Sequence, residues 1–177
     1  MQIKKDKILI RNATPRDAHI LCSWWNDGTI MDHAGFPNGI DTTPEKIMSN
    51  IMMNTDERGR LCIIEFDSIP IGEINYRNLG DKTAEIGIKI CDFSMHNKGI
   101  GTISLFIFVK SLFNDYGYNK IILDTNLVNK RAQHVYEKIG FIQTGIEFNS
   151  WRNQLGELQS KICYELKKKS FLGDRVN

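Results

Sequence analysis

The feature that most constrains this chain is a glycine-punctuated turn between a strand pattern and a long helix pattern. The turn reads His-Asn-Lys-Gly-Ile-Gly-Thr over residues 96–102, with alternating apolar positions before it at 84–90 and apolar residues every three or four positions after it. A turn that opens a helix leaves several main-chain N–H groups unpaired at the positive end of the helix dipole. Glycine lets a bulky anion approach the main chain closely. The segment therefore favours a phosphate or pyrophosphate site, with an ordinary turn as the alternative.

The size and composition of the chain are typical of one globular domain. Its 177 residues are 41% hydrophobic and 25% charged, which is enough to bury a core. We expect one domain over residues 1–168, followed by a short C-terminal tail over residues 169–177. The net charge of +2 gives no general reason to expect nucleic acid or a membrane as a partner.

The cysteines and the apolar segments indicate a cytoplasmic protein. No apolar stretch follows the charged residues 1–7, as a signal peptide would require, and Lys110 and several serines interrupt the most apolar window, residues 100–113. The cysteines form no C-x-x-C pair, and neither they nor the histidines have the spacing of a metal site. The four cysteines are Cys22, Cys62, Cys91 and Cys163.

The periodicity predicts a mixed α/β sheet of about seven strands in the order βααβββαβαββ. The predicted strands are residues 8–12, 61–66, 71–76, 84–90, 120–125, 141–147 and 157–166. Four helices are predicted. The first two begin after the N-caps Thr14 and Thr43, and the other two span residues 99–116 and 129–139. Residues 31–41 and 148–156 are expected to be loops.

The turn and a second motif together resemble the Gcn5-related N-acetyltransferase (GNAT) superfamily. The second motif is N-x-R-A-x-x-x-Y-E-K-x-G-F over residues 129–141. The turn is similar to the family's acyl-CoA pyrophosphate loop, (Arg/Gln)-x-x-Gly-x-(Gly/Ala), and the second motif to its helix that carries a tyrosine ahead of Gly-Phe. The resemblance covers residues 8–167, and residues 71–74 and 84–86 resemble the branch of ribosomal-protein and spermidine acetyltransferases.

The resemblance implies acetyl-CoA as acyl donor, no metal, and a sheet that splays between the fourth and fifth predicted strands. Acetyl-CoA would lie along the fourth of these strands and take main-chain hydrogen bonds from it. His96 stands where the loop usually has Arg or Gln, and cofactor affinity is reduced or pH-sensitive if this side chain helps to hold phosphate. The alternative is that His96 caps a turn. The cofactor-binding residues implied are Ile88, Lys89, Ile90, His96, Asn97, Lys98, Gly99, Ile100, Gly101, Thr102, Asn129 and Ala132.

Two residues are the candidates for the proton transfers that acetylation of an amine requires. The resemblance assigns Tyr136 as the proton donor to the leaving thiolate, with a core aromatic as the alternative. It assigns Glu85, fourteen residues before Gly99, as the base, with a salt-bridged strand carboxylate as the alternative. Glu73 on the neighbouring strand is the rival base or a substrate anchor.

The family's variable first helices and the loop before its last strand imply the acceptor site. The substrate-binding candidates are Trp24, Trp25, Asp32 and His33 on one wall, Phe148, Trp151 and Arg152 on the other, and Glu73; for a tryptophan on a helix the alternative is a place in the core. Arg152 argues against a simple polycation, so a peptide amino terminus or a substrate with an acidic group stays open. We expect direct attack, in a ternary complex, by a primary amine of a polyamine, an aminoglycoside or a protein N-terminus. A catalytically silent acyl-CoA sensor or partner-binding module is the rival function. The oligomeric state stays open, with a homodimer as one alternative.

Overall fold

The computed structural model describes residues 1–171, which form one eight-stranded sheet and five α-helices. The strands are β1 (Gln2–Lys5), β2 (Ile8–Asn12), β3 (Gly59–Phe66), β4 (Ile69–Asn78), β5 (Thr83–Ile90), β6 (Lys120–Asn126), β7 (Ile142–Arg152) and β8 (Leu158–Lys167). The helices are α1 (Ala18–Trp25), α2 (Gly28–Met31), α3 (Pro44–Met52), α4 (Ile100–Asn114) and α5 (Lys130–Ile139). The expected mixed α/β sheet is confirmed, with one strand more than predicted.

The sheet is divided near its middle by a gap between β5 and β6. Its strand order is β1-β2-β3-β4-β5-β6-β8-β7, and β5 and β6 are the parallel neighbours in an otherwise antiparallel sheet. Residues 83–85 of β5 pair with residues 120–122 of β6, and the pairing between these two strands ends there. Because β5 continues to Ile90 and β6 to Asn126, the strands diverge beyond the pairing. This divergence confirms the expected splay.

Helices cover both faces of the sheet. Helix α4 is buried almost all round, and its Phe108 and Leu112 lie in a core that includes residues of α5. On the opposite face, Leu21 of α1 and Ile47 of α3 form a second buried cluster. The gap between β5 and β6 therefore has one helical layer on each side.

The helix boundaries follow the predicted caps. Thr43 accepts the N–H of Lys46 at the start of α3, and Asn129 caps α5. Gly140 ends α5 in the left-handed conformation that glycine favours at this position. These caps place the starts of α3 and α5 within one residue of the positions that the sequence predicts.

The predicted element list is wrong in three places. Strand β1 was not predicted, because its four residues contain a single large apolar side chain, Ile3. A helical turn, α2, ends at the first residue of the expected loop 31–41. Strand β7 continues to Arg152, through half of the expected loop 148–156, and its side chains are mostly exposed. An exposed edge strand lacks the apolar alternation by which strands are identified.

The first residues of the expected tail, 169–171, belong to the part of the chain that the structure describes. Phe171 packs against Phe106 and Phe113 of α4, with ring centroids 5.3 and 5.4 Å apart. The rest of the expected tail, residues 172–177, lies outside the described residues. Among residues 1–171, no helix is both long and apolar enough to cross a membrane.

Candidate active site

The gap between β5 and β6 opens into a cavity of about 1240 Å³. We call one part the loop side; it is lined by His96, Asn97, Gly99, Ile100, Gly101, Thr102, Lys130 and Arg131. We call the other part the acceptor side; it is lined by Thr29, Ile30, His33, Ala34, Asp124, Glu147, Ser150, Trp151 and Lys161. Side chains of β5 and of α5, including Tyr136, line the space between them.

The main-chain N–H groups of the glycine turn are free to bind a ligand. Among the described residues, the N–H groups of residues 97–102 donate no hydrogen bond, and the first that does so in α4 is that of Ile103, to Gly99. Six consecutive free donors at the N-terminus of a fifteen-residue helix form an anion-binding surface. The geometry that the sequence predicts for this turn is therefore present.

Gly99 adopts a conformation that other residues take only with strain. Its φ is +76°, and a Cβ atom built on it would meet nothing within 4 Å. The preceding Asn97 also has a positive φ, of 61°. Consecutive turns of this kind curve the main chain so that successive N–H groups point to one side. The space in front of Gly99 is open, as a bulky anion requires.

The end of β5 presents main-chain groups to the gap. Cys91 donates its N–H to Ile71 on β4, at 2.8 Å. Because successive strand residues direct their main-chain groups to opposite sides, those of Ile90 and Ile88 face away from β4, into the gap. The main chain of Lys89 faces β4 instead, and its Nζ lies 3.4 Å from Oε1 of Glu73. Of the three predicted strand residues, Ile88 and Ile90 are thus the ones that can bind an extended ligand.

Asn129 and Ala132 also lie where the resemblance implies. Asn129 Oδ1 accepts the N–H of Ala132 at 3.2 Å, and its Nδ2 donates to Thr125 at 3.2 Å. Both Asn129 and Ala132 line the cavity. The capping role of Asn129 is observed, and it fixes the start of α5 against the end of β6.

Tyr136 is buried between the two sides of the cavity. Its ring packs edge-on against Tyr164, with centroids 5.7 Å apart, and against Phe141 at 6.1 Å. Burial, and next the nearby charge of Asp124, raise the pKa of Tyr136 to about 12. Ser104 Oγ is the one fully buried side-chain oxygen or nitrogen without a partner in residues 1–171. The Tyr136 hydroxyl has no protein partner in that part of the chain either, so it must reach accessible space in the cavity.

Three charged residues on the acceptor side were missed by sequence reasoning. Lys161 of β8 lies 3.7 Å from a carboxylate oxygen of Asp124 on β6 and 3.4 Å from one of Glu147 on β7. The side chains of Asp124 and Glu147 remain 45% and 54% exposed, so both can meet a ligand. The apolar residues of β6 and β8 face α4 and α5, so the residues that alternate with them face the other side of the sheet. This alternation is the sequence signal that could have placed Asp124 and Lys161 on the acceptor side.

The structure does not bring Glu85 into the cavity. Its carboxylate pairs with the guanidinium of Arg77, the residue directly opposite on β4, and it is absent from the cavity lining. Glu73 is also outside the lining: it is 6% exposed and accepts a hydrogen bond of 2.8 Å from Trp25 Nε1. Glu85 thus lies in the salt-bridged position that was the alternative to a role as base.

Several other predicted contacts lie elsewhere. Trp24 is 9% exposed in the second core cluster, and Trp25 lines a separate, smaller depression. Asp32 and the side chain of Lys98 are exposed outside the cavity lining. Trp151 does line the cavity, and its ring covers Gly35, where an added Cβ would meet the ring at 2.3 Å. Trp24 thus has the core position that was its alternative, and Trp25 is partly buried beside the same cluster.

The described residues offer neither a metal centre nor a cysteine nucleophile in the cavity. No group of three or more His, Cys, Asp or Glu side chains among residues 1–171 could hold a metal ion. Cys91 is buried outside the cavity lining, and burial raises the pKa of its thiol. The groups that line the cavity include hydrogen-bond donors, the phenol of Tyr136 and the charges of the acceptor side.

Comparison with known proteins finds one family model and several relatives. The model of the acetyltransferase (GNAT) domain matches residues 7–142. Aminoglycoside N(6')-acetyltransferase type 1 of Klebsiella pneumoniae is 25% identical over 154 residues, which cover 79% of this chain and 76% of the relative.

Two solved structures share the fold at lower sequence identity. Spermidine N-acetyltransferase from Vibrio cholerae, in complex with CoA and spermine, superposes with a TM-score of 0.82 at 19% identity, over 95% of this chain and 99% of that one. A ribosomal L7/L12 alpha-N-protein acetyltransferase in complex with coenzyme A gives a TM-score of 0.84 at 15% identity, over 94% and 98%. Both similarities concern the fold.

Proposed function

This chain belongs to the acetyltransferase (GNAT) family and is an acetyl-CoA-dependent N-acetyltransferase, and we propose that its acceptor is a small molecule with several ammonium groups. The observation on which the proposal rests is the pair of half-exposed carboxylates, Asp124 and Glu147, on the acceptor side. Two half-exposed carboxylates near one end of the cavity favour a polycation over a neutral amine. The similarity to an aminoglycoside acetyltransferase supports the same class of acceptor.

The loop side fits the diphosphate of coenzyme A. The free N–H groups of residues 97–102 and the open space before Gly99 suit a bulky anion, and Ile88 and Ile90 offer main-chain groups to the pantetheine arm. Acetyl-CoA, when bound, supplies a thioester that an amine can attack. Main-chain donors from the end of β5 would then stabilise negative charge on the thioester oxygen.

Tyr136 is our candidate for the proton donor to the departing thiolate. Because its pKa is raised to about 12, the hydroxyl keeps its proton throughout the neutral range. It has no competing protein partner in the described residues, so it can donate to a ligand in the cavity. Its packing against Tyr164 and Phe141 holds the ring in one orientation.

The acceptor loses a proton without a dedicated side-chain base in our proposal. Glu85 is paired with Arg77 outside the cavity, and Glu73 is buried against Trp25. The cavity is open to solvent, so water can accept the proton from the reacting ammonium group. Asp124 and Glu147 then bind the ammonium groups that do not react.

The ring of Trp151 and the imidazole of His33 form the remaining wall of the acceptor side. An aromatic face beside carboxylates favours a cationic ligand.

We also propose a cytoplasmic location, which the four free cysteines and the use of acetyl-CoA support.

Release of CoA thiol with a panel of acceptors tests this assignment. We expect turnover with spermidine or with an aminoglycoside that has several amines, and a KM that rises with ionic strength. Asp124→Asn combined with Glu147→Gln should raise that KM by about tenfold. Glu165→Gln is the matched control, since it removes a charge from β8 outside the cavity lining.

Turnover confined to peptide amino termini would contradict a polycationic acceptor. Retention of the KM in the double variant would contradict the role of Asp124 and Glu147.

A further inference from the structure

His96 connects three elements that border the loop side of the cavity. Its Nε2 lies 2.9 Å from the carbonyl oxygen of Ile90 at the end of β5. Its Nδ1 lies 2.6 Å from Nη1 of Arg131 in the first turn of α5. Phe93 packs edge-on against the imidazole, with ring centroids 5.0 Å apart. The ring is therefore held on both nitrogens and on one face.

The partners determine where the imidazole keeps its proton. A carbonyl oxygen can only accept a hydrogen bond, so Nε2 must donate to Ile90. A guanidinium has donors and no acceptor, so Nδ1 must accept from Arg131. This assignment corresponds to the neutral ring with its proton on Nε2. His96 thus acts as an acceptor that fixes the guanidinium of Arg131 beside the glycine turn.

Arg131 keeps most of its hydrogen-bonding capacity after this contact. A guanidinium has five N–H donors, and His96 is its one hydrogen-bond partner in the described residues. No carboxylate in that part of the chain pairs with Arg131. The side chain is exposed and lines the cavity next to the free N–H groups of residues 97–102. A fixed, unneutralised cation beside free main-chain donors calls for a multiply charged anion.

We propose that Arg131 binds a phosphate group of acetyl-CoA and that His96 is the positioning residue that holds it there. The proposal rests on the acetyltransferase function stated above and adds a ligand contact from α5. The positive charge on the loop side then comes from Arg131 of α5, and the imidazole of His96 orients its guanidinium. Because the guanidinium is already fixed in one geometry, binding costs less side-chain entropy.

Binding measured by calorimetry tests the proposal without turnover. Arg131→Gln should lower the affinity for acetyl-CoA by about 10- to 100-fold, the usual effect of losing a hydrogen bond to a charged group. His96→Phe keeps the ring against Phe93 but removes both nitrogens, and it should also weaken binding. The double variant should bind no more weakly than Arg131→Gln, because the two residues act through one contact. Lys138→Gln, in the last turn of α5 outside the cavity lining, is the matched charge control.

Shortened ligands separate a phosphate contact from a general loss of structure. S-Acetylpantetheine has no phosphate, so all variants should bind it as the unaltered protein does. The 3'-dephospho form of acetyl-CoA keeps the diphosphate. If Arg131→Gln weakens the binding of this form as much as it weakens acetyl-CoA binding, Arg131 contacts the diphosphate. If Arg131→Gln leaves the binding of this form unchanged, Arg131 contacts the ribose phosphate. Either result supports the proposal.

Three results would overturn it. The first is that Arg131→Gln binds acetyl-CoA as tightly as the unaltered protein does. The second is that the variants weaken the binding of S-acetylpantetheine as much as the binding of acetyl-CoA. The third is that the effects of the His96 and Arg131 changes on acetyl-CoA binding add in the double variant. Failure of the unaltered protein to bind acetyl-CoA at all would instead refute the proposed function.

Discussion

The hydroxyl of Tyr136 is the most constrained functional group of the cavity. It lies on a ring packed between Tyr164 and Phe141, and its pKa of about 12 keeps it protonated. A phenol that is both fixed and protonated can donate a proton to a thiolate at no cost of reorientation. The residue is thus suited to the step after acetyl transfer rather than to binding.

Tyr136→Phe should lower kcat by about 100-fold, because it removes the proton donor and leaves the packing of the ring intact. The Kd for acetyl-CoA, measured by calorimetry, should stay unchanged. Phe141→Leu alters the same aromatic cluster without removing a hydroxyl and is the control. An unchanged kcat in Tyr136→Phe would exclude the residue from the mechanism.

The pH dependence of kcat/KM depends on two pKa values, that of the acceptor amine and that of Tyr136. An alkylamine reacts only when deprotonated, so kcat/KM should rise by about tenfold per pH unit below the amine pKa of about 10. Tyr136 must stay protonated, and its raised pKa predicts no loss of rate on the alkaline side until the pH approaches about 12. A rate assay between neutral pH and pH 10 measures this. A decline beginning near pH 8 would contradict the assignment of the donor.

Lys161 competes with the acceptor for Asp124 and Glu147. Its Nζ lies 3.7 and 3.4 Å from their carboxylates, where we place the ammonium groups of the acceptor. Lys161→Met keeps the aliphatic stem and should lower the KM for a polycation by about threefold, a small effect because exposed ion pairs are screened by solvent. Lys167→Met, in an ion pair with Glu165 elsewhere on β8, is the control. A higher KM in Lys161→Met would show that the lysine helps to bind the acceptor.

At the residue scale, the sequence predicts best those groups whose role is local. Asn129 was correctly predicted at the start of α5, because a helix cap depends on a few neighbouring residues. The pairing of Glu85 with Arg77 was not predictable, because Arg77 lies across a strand pair whose register no short motif reveals. Asp124 and Arg131 were missed as site residues, since only the packing of separate elements brings them to the cavity.

At the scale of elements, we assign cofactor binding to the junction between the glycine turn and α4. Gly99 lets the chain enter the helix in a left-handed conformation, so that the N–H groups of residues 97–102 remain free. Gly117 follows the other end of the same helix with nearly the same φ, +74°, and also has open space at its Cβ position. The two glycines therefore form a matched pair.

Gly99→Ala and Gly117→Ala should each lower the free energy of unfolding by about 1–2 kcal/mol, because alanine is strained at these φ values. Only Gly99→Ala should weaken acetyl-CoA binding, since only Gly99 lies in the cavity lining. Thermal unfolding and calorimetry measure the two effects separately. Equal affinities in the two variants would mean that the turn does not bind the cofactor.

The order of elements was largely predictable because the apolar periodicity of α3, α4 and the inner strands is strong. The end of β7 and the short β1 were not, since edge strands with exposed side chains leave little apolar alternation. Helix α2 was also missed, because four residues are too few to show a period. Four residues of the acceptor side, Thr29, Ile30, Ser150 and Trp151, lie in these less predictable segments, whereas Asp124 and Lys161 lie in strands that were predicted.

At the scale of the whole molecule, the site results from one break in the sheet. A pairing of only three residues between β5 and β6 leaves a gap that joins the layer of α4 and α5 to the layer of α1 and α3. The free donors lie at one part of this gap and the carboxylates at another, with Tyr136 between them. In our proposal, the fold thus separates an anion site from a cation site inside a single cavity.

Amide NMR shifts of residues 97–102 during a titration with CoA test this account most directly. We predict that these amides shift together, with the same Kd as calorimetry gives, and exchange more slowly with solvent once the ligand is bound. S-Acetylpantetheine, which lacks the diphosphate, should leave them unchanged. Saturation with CoA while these amides keep their shifts and exchange rates would contradict the account.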